Sequence, residues 1–163
     1  MAYSAGFSPH PKISYANSAP TGVASEAEYV EIGVVAACDP GRVRLALDEA
    51  LPTGLDIVEV VEARTPDFVQ RLEASRWRFE LLGMKGDDVR AGVEALLAAP
   101  EVEVERLTKQ GIRRFDARGA VVTMQVELPS DASLTVGGAD YAILKGVVRH
   151  VTPSVRPDDV LAA

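Results

Sequence analysis

Hydrophobic and polar positions change period several times along this chain, and each change marks an element. Glu28–Val35 sets Tyr29, Val30, Ile32 and Val34 among Glu28, Glu31 and Gly33, which predicts a strand. Asp39-Pro40 then supplies an N-cap followed by proline in the first turn of a helix. Val43, Leu47 and Leu51 recur at four-residue spacing and mark its buried face, and Pro52-Thr53-Gly54 ends it. Ile57, Val58, Val60 and Val61 predict a second strand, so the first part of the chain reads as a β-α-β run. Thr65-Pro66, inside a connector over Ala63–Asp67, breaks the pattern, and Phe68–Ala74 is expected to form a short helix.

The alternation resumes beyond that break. Trp77, Phe79 and Leu81 alternate with Arg78 and Glu80, the signature of a half-buried strand. Asp87 or Asp88 can cap a helix whose apolar face is Val89, Val93, Leu96 and Leu97, and Pro100 stops it. Val102 and Val104 alternate with Glu101, Glu103 and Glu105. A turn at Gln110-Gly111 leads to Ile112–Ala117, Val121–Leu128 supplies a further strand, and Tyr141–Val148 is expected to close the sheet. Pro157-Asp158-Asp159 opens a final short helix. The predicted class is α+β, with two ferredoxin-like or split β-α-β halves over residues 1–65 and 66–163. The first half reads as incomplete, since it begins in a loop.

Composition narrows this picture by exclusion. The 163 residues suit one or two domains, and 47% hydrophobic with 25% charged residues is ordinary for a globular protein. No apolar run reaches the roughly 20 residues of a membrane-spanning helix, and the N-terminus lacks the basic start and apolar stretch of a secretory signal, so a cytoplasmic location is expected. The single cysteine, Cys38, rules out an internal disulfide and an all-cysteine metal site within one chain, and is expected to be an inert small hydrophobe. A formal charge of −7 opposes nonspecific attraction to nucleic acid while leaving room for a local basic patch.

The densest candidate chemistry lies at the start. Tyr3-Ser4-Ala5-Gly6-Phe7-Ser8-Pro9-His10-Pro11-Lys12-Ile13-Ser14-Tyr15 gathers three aromatics, two prolines, a glycine and one of the two histidines into a run with no helical period. Glycine frees the backbone at one point and each proline fixes φ, so a stiff, shaped loop presenting Phe7 and His10 is expected. Tyr3, Gly6, Phe7, Pro9, His10 and Pro11 are its candidate contact residues. His10 could serve as a general base, a ligand contact or a metal ligand, but closing the loop through a hydrogen bond is the favoured role. His150 is expected to be structural, and Glu26, Glu28 and Glu31 to form a solvated face. A second cluster, Arg106, Lys109, Arg113, Arg114 and Arg118, crowds one predicted hairpin with Phe115 among them, a candidate RNA-contacting ribbon that joins phosphate neutralisation to stacking. Glu105 and Asp116 dilute it, and strand alternation splits its charges between two faces. Gly137-Gly138 and Gly6 form no phosphate-binding loop, and Arg156 before Pro157 is expected to cap or pair an ion rather than bind an anion.

The opening motif, followed by Pro20-Thr21-Gly22-Val23-Ala24-Ser25-Glu26-Ala27-Glu28-Tyr29, resembles the radical-SAM-linked protein family, a bacterial domain of unknown function found fused to or encoded beside a radical SAM protein. Ala50-Leu51-Pro52-Thr53-Gly54-Leu55, the stretch from Thr108-Lys109-Gln110-Gly111 through Phe115-Asp116-Ala117-Arg118, and Ser154-Val155-Arg156-Pro157-Asp158-Asp159-Val160-Leu161 extend the likeness across essentially the whole chain. Family members usually carry an additional strand and helix before the Tyr-Ser-x-Gly-Phe motif, whereas Met1 falls almost on it here. The chain is therefore expected to be a shortened form or to have its start placed too late.

The resemblance implies a radical SAM protein as partner and a setting near ribonuclease E/G and ribosomal-protein genes. The chain cannot itself be a radical SAM enzyme, because one cysteine cannot supply the three cluster ligands. The leading expectation is a non-catalytic accessory or substrate-presenting domain in RNA or ribosome-related metabolism, with no cofactor, no metal, no membrane and no DNA. The alternative is a stand-alone RNA-binding or RNA-modifying protein. A small hydrolase or transferase using His10 is a third reading.

Overall fold

The computed structural model describes residues 1–127 and 140–163; Leu128, at the end of an expected strand, and Gly137-Gly138 lie outside the described residues. The chain is a mixed α+β protein built on small antiparallel sheets and falls into two units, Met1–Leu72 and Glu73–Ala163. The division lies past the Thr65-Pro66 break, between Leu72 and Glu73.

In the first unit, β1 (Ile13–Ala16) pairs antiparallel with β2 (Tyr29–Ile32), in the register Ile13 to Ile32 through Ala16 to Tyr29. Most of β1, Ile13 to Tyr15, was expected to belong to the opening loop. It becomes a strand because β2 offers it a row of backbone partners, which a local pattern does not display. Helix α1 (Pro40–Ala50) begins as its sequence predicts, with the Asp39 carboxylate accepting the Arg42 N–H at 2.9 Å and proline in the first turn. Val43, Leu47 and Leu51 are half-buried along one side. Helix α2 (Phe68–Arg71) is shorter than expected, and the Phe68 ring meets Tyr29 edge-on with centroids 5.5 Å apart.

The expected strand at Ile57–Val61 does not form. The Ile57 N–H is used locally, donating to Asp48 Oδ1 at 2.9 Å, and Val58 and Val61 are exposed. Ala16 is the one buried apolar residue of this unit, while Phe7, Tyr15, Val35, Leu45 and Leu55 all stand in solvent.

The second unit holds the core. Its elements are β3 (Ala74–Leu82), α3 (Gly86–Ala98), β4 (Glu103–Thr108), β5 (Gly111–Asp116), a single 3-10 turn (Arg118–Ala120), β6 (Val121–Glu127), β7 (Tyr141–Arg149) and α4 (Pro157–Ala162). Strand β7 does not close the sheet as expected but runs through its middle, antiparallel to both neighbours in the order β3-β7-β6. One of its faces is buried: Ala142, Leu144 and Val148 alternate along it and lie in the core, beside Phe79 of β3 and Val89, Val93 and Leu96 of α3. Each such large side chain removed from water contributes about 1.5–3 kcal/mol.

An irregularity between Val121 and Thr123 shifts the β6 register, so that Val121 and Met124 both reach the core despite their odd spacing. Helix α3 starts at Gly86 with no side-chain cap. Asp87 and Asp88 occupy its first turn instead, where their charge favours the helix dipole. Strands β4 and β5 form a separate two-stranded ribbon, seated on a small second core of Val104, Phe115 and Ala117 with Val155 against it.

Candidate functional site

In the first unit the opening run forms a loop tied across its base. Tyr3 bridges Pro11, the Ser4 N–H donates to the His10 carbonyl at 2.9 Å, and the His10 N–H donates to Ser4 Oγ at 3.0 Å. His10 thus closes the loop, as the sequence leads one to expect, but through its backbone and not its ring. Gly6 turns the chain at φ +123°, a conformation that side chains rarely adopt. The outcome is a braced loop with the Phe7 ring fully exposed at its tip and Tyr3 56% exposed. The structure therefore presents Tyr3, Gly6, Phe7, Pro9, His10 and Pro11 on one loop. Nearby, Glu28 Oε1 accepts the Ala19 N–H at 3.0 Å, a bracing contact.

In the second unit the ribbon sorts its cations by strand alternation. Arg106 and Arg113 are direct cross-strand partners on the face shared with Val104 and Phe115, while Arg114 points to the other face and pairs with Glu105 at 2.6 Å. Arg118 is withdrawn from the cluster: its two terminal nitrogens donate to the carbonyls of Val121, at 3.0 Å, and Leu97, at 3.1 Å. Phe115 is buried and lies under the Arg106 guanidinium, 4.6 Å from ring centre to Cζ, so it is not displayed for stacking on a base.

On the Arg106 side the ribbon and the segment before α4 enclose an open groove of about 600 Å³. It is lined by Arg106, Lys109, Arg113 and Arg156, with Thr108 and Ser154 among its polar walls. Arg106 is fastened at the base, donating to the Ser154 carbonyl at 2.5 Å and lying 3.5 Å from Asp159, the one buried carboxylate among the described residues. Asp159 also accepts the Arg156 N–H at 2.7 Å within the cap of α4, so that its pairing with Arg106 joins α4 to the ribbon. The structure thus unites three of the five hairpin cations and adds Arg156, whose place in this groove no local pattern signals.

A model of the family described as an uncharacterized protein conserved in bacteria (DUF2344) matches residues 1–157. The chain belongs to that family. No curated protein and no solved structure matches this DUF2344 chain.

Two further candidate residues of the DUF2344 chain, His150 and Cys38, have structural partners. His150 is held at the sheet end, its N–H on the Glu73 carbonyl at 2.8 Å and its Nε2 2.7 Å from Ser75 Oγ. Cys38 is exposed and its thiol donates to the Ala36 carbonyl at 3.2 Å. Among the described residues, no three His, Cys, Asp or Glu side chains come together as a metal site, and no helix is long and apolar enough to cross a membrane.

Proposed function

We propose that this chain is a cytoplasmic, non-catalytic accessory domain that docks on a radical SAM protein and presents a substrate in RNA or ribosome-related metabolism. The partner class comes from the resemblance of the opening motif. The observation that carries the docking reading is Phe7: a large aromatic held wholly in solvent on a loop braced by a backbone hydrogen bond, a bond from the His10 N–H to the Ser4 hydroxyl, and a strand-like bridge. Bracing lowers the ordering entropy a contact must overcome, and exposed aromatics commonly anchor interfaces. The exposed apolar residues of the first unit point the same way. For the second unit, a ferredoxin-like arrangement is supported by β3 and β6 running in one direction on either side of β7, with α3 in the connection between them.

Affinity capture of a radical SAM protein on the tagged chain tests the docking. Phe7→Ala should abolish capture while leaving the melting temperature within error, since an exposed ring contributes little to folding. Capture that survives Phe7→Ala and Tyr3→Ala together overturns the reading. The alternative, RNA binding by the chain alone, is favoured by the basic groove, and predicts salt-dependent affinity with no partner present.

A further inference from the structure

We infer that the groove between the β4–β5 ribbon and the Pro153–Arg156 segment is a phosphate-binding site, with Arg113, Arg156 and Lys109 as ligands and Arg106 as the fixed base. The site lies wholly in the second unit and does not rest on the docking reading. Two observations converge on it. Arg106 and Arg113 stand directly opposite each other in the ladder, an arrangement that like charges disfavour, and the Asp159 carboxylate lies beside Arg106 alone, leaving Arg113 without a counter-charge of its own among the described residues. Arg106 is the lining cation with a carboxylate neighbour; Lys109, Arg113 and Arg156 make no ion pair with any described residue, although the chain carries a net charge of −7.

The chemistry of the walls selects the ligand. Guanidinium forks match phosphate oxygens, and the ammonium of Lys109 at the hairpin turn adds a point charge. Ser154, whose carbonyl holds Arg106, lines the same groove and brings a hydroxyl donor. No exposed aromatic lines it, and Phe115 is sealed beneath Arg106, so the groove reads charge and oxygen geometry rather than a base. A phosphate ester meets these terms, whether it comes as a free phosphorylated small molecule or as the backbone of an RNA strand.

Isothermal titration of the full chain with inorganic pyrophosphate and, separately, with a short single-stranded oligouridylate tests the site and distinguishes the sources. Pyrophosphate binding alone supports a free phosphate ester. Binding of both, with a strong salt slope for the oligonucleotide, supports an RNA backbone. Arg113→Gln and Arg156→Gln should each weaken binding about tenfold, the scale of one charge-assisted contact. Arg114→Gln, on the opposite face, should leave it unchanged. Because Arg113→Gln also relieves the facing like charges, its ligand-free melting temperature should be no lower than that of the wild type. Failure of both probes to bind the wild-type chain overturns the site. So does equal weakening by Arg114→Gln, or a lowered melting temperature in Arg113→Gln.

Discussion

The Asp116 carboxylate accepts the backbone N–H of Val102 at 3.0 Å, across the mouth of the β4–β5 ribbon. It also accepts the N–H groups of Arg118 and Gly119, both at 2.9 Å, so one side chain ties three backbone donors at the point where the ribbon rejoins the core. Those bonds, the one from Val102 foremost, with the Arg118 charge behind them, hold the Asp116 carboxyl below its ordinary value. The consequence for stability has a definite sign. A carboxyl with a depressed folded-state pKa stabilises the protein above its unfolded value of about 4, and that contribution is lost as the pH falls through the folded value. Asp116→Asn should lower stability at neutral pH by about 1–2 kcal/mol and flatten the loss of stability below about pH 4. Urea melts of both chains across that range check it.

Phe115 anchors the ribbon that carries the groove. It is 8% exposed and packs with Val104 and Ala117 beneath the Arg106 guanidinium. Phe115→Ala should cost about 3–5 kcal/mol and remove the surface on which Arg106 rests. Phe115→Leu, which keeps most of the apolar volume, should cost much less. Chemical denaturation read by circular dichroism separates the two.

Gly146 lies in the middle of β7 opposite Trp77, where a Cβ would stand 2.9 Å from Met124 Cε and 3.2 Å from the Thr123 carbonyl oxygen. The methionine tip can move, but the carbonyl belongs to the neighbouring strand. Gly146→Ala should therefore destabilise the second unit by about 1–3 kcal/mol through overpacking, outweighing the usual gain from removing a strand glycine. Thermal unfolding of the variant measures it.

The cap of α1 rests on the bond from the Arg42 N–H to Asp39. Asp39→Ala should cost about 1 kcal/mol, and Asp39→Ser, which restores an acceptor, should recover most of it. Amide hydrogen exchange in the first turn of α1 is the sensitive readout.

Much of the second unit could be read from its residues one at a time. Alternation at Trp77, Phe79 and Leu81, and the spacing of Val89, Val93 and Leu96, are local consequences of strand and helix geometry, and the structure places them in strand and helix. The same local reasoning overreached at Ile57–Val61, where β-branched residues find no ladder and Asp48 takes the backbone N–H instead. It fell short at Ile13–Ala16, whose strand exists because β2 lies alongside.

The basic groove divides along the same line. Its ingredients are written in the chain, since cations on a ribbon must alternate between two faces and a two-residue turn must bring Thr108 beside Gly111. By itself, then, the sequence determined most elements of the second unit, the Asp39 cap of α1 and the division of Arg106 and Arg113 from Arg114. Only the tertiary structure decided that Phe115 would be covered, that Arg118 would be spent on carbonyls, and that Arg156 would join the ribbon from a segment far along the chain. Those outcomes depend on which surfaces pack together. Packing follows from apolar area and backbone partners summed over the whole unit, a quantity that no short window of residues contains.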